Sequence, residues 1–170
     1  MELAYNQEDF NNLGVKLLVL SYDNLSSHRS WKAALEEIPY KGRDAVKINF
    51  PLVVDDNFEV SLLYGMVSPG ENKAGTNIRS VFIINPENKV RAILHYPNEV
   101  GRNIDELKRT IIALQTTDKG NVVTPANWNP GDDVMIMGLT PSEEERLGKS
   151  DSNLYKYSWF MTFKRMKFKN

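Results

Sequence analysis

The strongest constraint on the fold is a nine-residue apolar run, VKLLVLSYD (Val15–Asp23), that follows a helix-spaced segment with one glycine between them. Strict alternation would mark a strand with one wet face. A continuous run marks a strand covered on both faces, as in parallel sheets lying under helices. Upstream, Leu3, Phe10 and Leu13 fall on one helical face, and Gly14 stands where a helix C-terminus favours glycine. The spacing therefore predicts a helix leading into a buried strand, with the sequence opening inside that helix.

The alternation continues. Ser26 and Ser27 are N-cap candidates for the helix HRSWKAALEEI, which Pro39 stops. FPLVVDD (Phe50–Asp56) reads as a second strand, FEVSLLYGM as a helix, and SPGENKAGTN as a polar loop. RSVFIINP (Arg79–Pro86) and VRAILHYP (Val90–Pro97), separated by Glu87, Asn88 and Lys89, read as a hairpin. NIDELKRTIIALQ sets Ile104, Leu107, Ile111 and Leu114 on one helical face. After Thr116 the character changes: TPANWNPGDD is rich in turn residues, VMIM is a short strand, and YKYSWFMTFKRMKFKN mixes aromatic with basic residues. A boundary near residue 118 follows, giving domains 1–117 and 118–170, and the element order is that of an α/β layered protein.

Charge and composition exclude several function classes. With 21 basic against 22 acidic residues, a net charge of −1, there is no electrostatic case for nucleic acid. No run of apolar residues is long enough to span a membrane. Glu2, Asn6, Gln7 and Glu8 occupy the place of a signal peptide's apolar segment, so a cytoplasmic location is expected. The 170 residues contain no cysteine and two histidines. They supply no disulfide, no thiolate metal site, no thiol nucleophile and no histidine-rich metal centre.

The segments SYDNLSSHRSW, FPLVVDD, RSVFIINPENKVRAILHYP, GRNIDEL and TPANWNPGDDVMI occur in that order. Together they resemble the 1-Cys peroxiredoxins, thiol peroxidases of the AhpC/TSA type with a thioredoxin-like fold and a C-terminal extension. The match runs from Glu2 to about Glu145, and the T-P-A-N-W-x-P-G-D run is particular to that subfamily. The resemblance implies an incomplete thioredoxin-like fold, its N-terminal strands missing, followed by a small α+β C-terminal peroxiredoxin domain. In the family the peroxidatic cysteine lies in a P-x-x-x-[TS]-x-x-C stretch followed at once by T-T-E-L. Met1-Glu2-Leu3 aligns with the end of that tetrapeptide, so the chain is expected to begin about one helical turn downstream of the nucleophile. In the family sheet the cysteine-bearing strand lies between those matching Val15–Tyr22 and Arg79–Ile84. Two inner strands are then expected to gain unpaired edges.

A peroxidatic thiol attacks as the thiolate, which a helix N-terminus and a nearby guanidinium favour. Fixed donors also stabilise the negative charge gathering on the leaving oxygen. The resemblance assigns both tasks to Arg79, at the head of RSVF, and a supporting ion-pair network to Arg102 and Glu2. Read without the family, Arg79 is a surface residue at a strand start and Arg102 an ion-pair partner of Asp105 or Glu106. Glu2 is then simply a first-turn acid that suits the helix dipole. His28 and Trp31 share one helix face and are expected to pack on the sheet, with His28 hydrogen-bonded. His95 precedes Tyr96 and Pro97 on a strand and suits an interface. Ser142–Glu145 reads as a capped, solvated helix start. The basic aromatic tail suits a membrane surface or, better, a strand or arm packed on a partner.

Some members of the subfamily have a lipase-like Ser-His-Asp set. Its serine and histidine have no counterpart here and Glu87 replaces its aspartate, so that activity is not carried over. The resemblance implies thiol-dependent reduction of hydrogen peroxide and organic hydroperoxides with thioredoxin or glutathione as reductant, and no cofactor or metal. The chain alone is expected to be inactive, its hydroperoxide chemistry restored only if a cysteine is supplied. Expected partners are a second copy, an intact peroxiredoxin or an N-terminal fragment. The alternatives are a non-catalytic dimerisation subunit and a truncated gene product.

Overall fold

The computed structural model describes residues 1–67, 79–140, 142–143, 145–146 and 153–166. The polar loop SPGENKAGTN and the last four residues of the tail lie outside them, as does Glu144 of the helix start. The chain divides into two compact units, Met1–Ile104 and Asp105–Asn170. That division falls at the start of the long helix whose end carries the composition change near residue 118.

In the first unit the opening helix is broken in two, α1 (Glu2–Tyr5) and α2 (Gln7–Asn12). The break is at Asn6, whose side-chain amide donates to the Glu2 carbonyl at 2.8 Å. Ala4 and Phe10 are the buried residues, so the apolar face survives the break. Gly14 has φ +72°, the left-handed turn-off that a side chain would strain. Strand β1 (Val19–Ser21) pairs in parallel with β2 (Leu52–Val54), as the apolar run requires. Both are shorter than the sequence suggests and only partly buried, and Leu18 beside β1 is exposed.

Helix α3 (Leu25–Leu35) is capped by Asn24 rather than by Ser26 or Ser27. The Asn24 side chain accepts from the Ser27 N–H at 2.9 Å. His28 is 7% exposed, as packing demands, but its Nδ1 has no hydrogen-bond partner among the described residues. Trp31 departs from expectation and is 53% exposed. A helix above a two-stranded sheet has less surface to cover its apolar side chains than one above a full sheet.

Glu36 ties α3 to the segment that follows. It accepts from Lys32 Nζ at 2.6 Å and from the Ile48 N–H at 2.8 Å, with Lys47 Nζ at 3.4 Å. The Lys32 hydrogen bond, then that of Ile48, holds its carboxyl down at about 2. Helix α4 (Glu59–Leu63) is a single turn set by the buried Asp55, which accepts from the Val60 and Ser61 N–H groups and the Ser61 hydroxyl. Strands β3 (Arg79–Ile84) and β4 (Val90–Tyr96) form the expected antiparallel hairpin, with Asn88 at φ 59° in its turn. They make a separate two-stranded sheet: among the described residues no strand joins β1 to β3.

The second unit is built on α5 (Ile104–Asp118), whose Leu107, Ile111 and Ala113 are buried. Ala113 packs with Trp128 and Val134, and Ile112, Val122 and Met166 close over them. Trp128 is the anchor of the TPANWNPGDD run. Its indole N–H donates to the Asp132 carbonyl at 2.9 Å, and its own carbonyl accepts from Arg109 at 3.0 Å. Strands β5 (Val122–Val123), β6 (Val134–Ile136), β7 (Leu154–Ser158) and β8 (Met161–Lys164) form an antiparallel sheet in the order β5-β6-β8-β7. The cap before residue 142 is Thr140, which exchanges hydrogen bonds with Glu143, rather than Ser142.

Two predictions follow from this packing. Replacing Trp128, 2% exposed, with alanine removes the hub of the second unit's core and should lower stability by about 3–5 kcal/mol in urea unfolding. Glu36 has a lower carboxyl pKa folded than unfolded, so its stabilisation is complete above the unfolded value of 4.5 and disappears as pH falls toward 2. Thermal melts should show Glu36→Gln less stable than wild type at neutral pH, with the gap closing across that window. A gap independent of pH would refute the assignment.

Candidate functional site

The β3–β4 register determines where the arginines lie. Arg79, the first residue of β3, sits directly opposite Tyr96, the last residue of β4. A tight turn follows, in which the Val100 N–H donates to the Pro97 carbonyl at 3.0 Å. It leads to Arg102. The strand opening, the strand end and the turn thus bring Arg79, Tyr96 and Arg102 to one end of the hairpin.

The two guanidinium groups act on each other. Arg102 is exposed as a residue, but its guanidinium is partly desolvated, and that loss of water lowers its pKa. The like charge of Arg79 lowers it further, and Tyr96 opposes both. Among the described residues no carboxylate lies within ion-pair distance of Arg79 or Arg102. The acids that might have served Arg102 are engaged elsewhere: Asp105 by Lys108 at 3.1 Å and Glu106 by Arg109 at 2.6 Å. Two neighbouring guanidinium groups with no carboxylate partner among the described residues are suited to attracting an anion.

Glu2 is placed in a different cluster. Its carboxylate is 2.7 Å from Arg43 Nη2 and 3.4 Å from Lys41 Nζ. The Arg43 hydrogen bond lowers its pKa, and Glu2 in turn raises that of Arg43. The Arg43 guanidinium also stacks on Tyr5, 3.8 Å from the ring centre. Tyr5 and Gln7 extend this seam, donating to the Asp44 and Lys47 carbonyls. Glu2 therefore fixes the opening helix to the Tyr40–Asn49 segment, and Arg79 and Arg102 are held together without it.

His95 lies opposite Ser80, with Ser80 Oγ 2.8 Å from its Nδ1, and its ring meets Phe82 edge-on. It is exposed on the hairpin, one residue from Tyr96 but outside the guanidinium pair. Among the described residues no three His, Asp or Glu side chains come together to hold a metal ion. Sequence reasoning missed Tyr96 and Arg43. Counting back from a turn centred on Glu87 and Asn88 would have set Tyr96 against Arg79. Nothing local marked Arg43, whose partner is 41 residues away.

Comparison with known proteins agrees with this architecture. Residues 1–93 match the AhpC/TSA family, and residues 113–149 match the C-terminal domain of 1-Cys peroxiredoxin. The chain is 43% identical over 170 residues to a peroxiredoxin of Methanosarcina mazei, covering 97% of this chain and 76% of that protein. It is 37% identical over 163 residues to a peroxiredoxin of Thermotoga maritima, covering 94% and 73%. Among solved structures it superposes on a yeast mitochondrial 1-Cys peroxiredoxin with TM-score 0.80 at 35% identity, covering 97% of this chain and 77% of that one. The peroxiredoxin 6 of Arenicola marina gives TM-score 0.80 at 30% identity, covering 98% and 77%.

The uncompensated pair makes a direct prediction. Added phosphate should raise the melting temperature of the wild-type chain in low-salt buffer, and Arg79→Gln/Arg102→Gln should abolish that response. Arg102→Gln alone, which relieves like-charge repulsion, should leave the melting temperature in phosphate-free buffer unchanged or higher. A marked fall there would mean that Arg102 is held by an opposite charge.

Proposed function

The chain belongs to the AhpC/TSA family of peroxiredoxins, and from that footing we propose that it carries the arginine side of a hydroperoxide-reducing site whose sulfur comes from a cysteine outside residues 1–170. The observation that carries the proposal is the closeness of Arg79 to Arg102, with no carboxylate among the described residues within ion-pair distance of either. A thiolate drawn to these guanidiniums attacks the nearer peroxide oxygen, and the O–O bond breaks. The sulfur becomes a sulfenic acid, and the departing oxygen, stabilised by the same charges, takes up a proton as water or alcohol. A thiol reductant of the thioredoxin or glutathione kind then returns the sulfenic acid to thiol. The reading keeps the cytoplasmic setting expected from the sequence. Among the described residues no helix is long and apolar enough to cross a membrane.

The two separate sheets support a strand-bearing supplier of that cysteine. Strands β1 and β3 each have a strand neighbour on one side only among the described residues, and an added strand is the natural partner for such edges. The outer edge of β4 suits pairing with a second copy or with an intact peroxiredoxin. If only that pairing occurs, the chain is a non-catalytic dimerisation subunit, and co-expression should yield mixed dimers with no added turnover.

The test is a peroxidase assay. The purified 170-residue chain should show no thiol-dependent turnover, and adding a segment that contains the P-x-x-x-T-x-x-C strand should generate it. In that mixture Arg79→Gln should lower the rate by about 10²–10³-fold, the usual loss for one donor at a developing oxyanion. Turnover by the chain alone, or a rate indifferent to Arg79, would overturn the proposal.

A further inference from the structure

Tyr96 is the third member of the hairpin end that holds Arg79 and Arg102. It closes β4 directly opposite Arg79, which opens β3. Residues directly opposite in an antiparallel pair project from one face of the sheet, so the phenol and the Arg79 guanidinium leave the hairpin on the same side. Burial alternates along this end of β4: Ile93 and His95 are exposed, whereas Leu94 and Tyr96 are half-buried. Tyr96 thus belongs to the covered face. His95 belongs to the other, where Ser80 engages its Nδ1.

The Tyr96 hydroxyl is uncommitted. The hydroxyl of Tyr5 donates to the Asp44 carbonyl and that of Tyr155 to Asp133, but that of Tyr96 makes no hydrogen bond among the described residues. It also stands within electrostatic range of Arg102, where it opposes the lowering of that residue's pKa by desolvation and by Arg79. The three groups divide the chemistry of a departing oxygen. Guanidinium groups stabilise its charge but do not surrender a proton, whereas a phenol gives one readily to hydroxide or alkoxide. We propose that Tyr96 is a further catalytic residue, its hydroxyl donating to the oxygen that Arg79 and Arg102 stabilise and passing it a proton as the O–O bond breaks. This rests on the hydroperoxide-reducing reading above. The thiolate's electron pair forms the S–O bond, and the O–O pair goes to the departing oxygen. The Tyr96 proton makes that oxygen water or alcohol, and the phenolate, held by the guanidiniums, is reprotonated from solvent.

Tyr96→Phe tests this. It should keep the wild-type circular dichroism spectrum and phosphate-free melting temperature, since the hydroxyl has no bond to lose. In the mixture with the cysteine-bearing segment it should lower the rate with hydrogen peroxide by about 10²-fold. With peracetic acid, whose acetate leaves without a proton, the loss should be far smaller. Equal losses with both peroxides would overturn the proposal, because a residue that only shapes the site affects both alike. A second arm needs no cysteine: phosphate affinity of the chain alone, read from melting temperature against phosphate concentration, should fall about tenfold in Tyr96→Phe. An unchanged affinity would overturn the proposal whatever the mixture does. A wild-type mixture without turnover, alongside a phosphate affinity that still falls, would overturn the source of the sulfur and support the Tyr96 donor.

Discussion

Every backbone N–H and C=O of a strand needs a partner, and a strand inside a sheet finds them on both sides. Among the described residues of the first unit, β1 and β3 each have a strand neighbour on one side only, in two separate pairs rather than in one sheet. Much else follows. The strand predicted as a long buried run shortens to the three residues of β1, and its partner β2 is also three residues long. Leu18 and Trp31, apolar residues suited to a fuller layer, remain exposed. The unit relies instead on cross-links outside the sheets: Glu36 between α3 and the Ile48 backbone, Asp55 at the start of α4, and the Glu2–Arg43 seam.

The electrostatics of this unit divide into two kinds. Glu2 with Arg43, and Glu36 with Lys32, are balanced pairs in which each charge lowers the cost of the other. Arg79 and Arg102 have no such partner among the described residues, and the like charge of Arg79 counts against that of Arg102. A negative charge arriving from outside would offset that cost.

The sequence made the element order legible because periodicity reports burial. Val15–Asp23 read as a parallel strand, Arg79–Tyr96 as a hairpin and Ile104–Leu114 as a helical face, and each has its counterpart. Boundaries were less legible where competing donors and acceptors settle them: Asn24 displaced Ser26 and Ser27 as a cap, and Asn6 split the first helix. The resemblance pointed to Arg79 and Arg102, and the structure brings these two together. It also drew Glu2 toward them, whereas long-range pairing with Arg43, invisible to local spacing, takes Glu2 elsewhere. The tail read as a strand or arm, and Tyr155-Lys156-Tyr157-Ser158 does alternate, but the exposed Tyr157 is on its aromatic side while Thr162, opposite Lys156, is buried, so polarity alone points to the wrong face as the covered one.

The second unit draws its core from side chains close in sequence: Ala113, Trp128 and Val134 lie within a span of 22 residues, and β7 and β8 are joined by a tight turn. Local closure of this kind costs little chain entropy, and contacts near in sequence form early. The consequence concerns order in time. The C-terminal third can reach its final form quickly, whereas the first unit must bring the Tyr40–Asn49 segment back to its opening helix across some forty residues. A mature tail can therefore be carried by a body still searching for its partners.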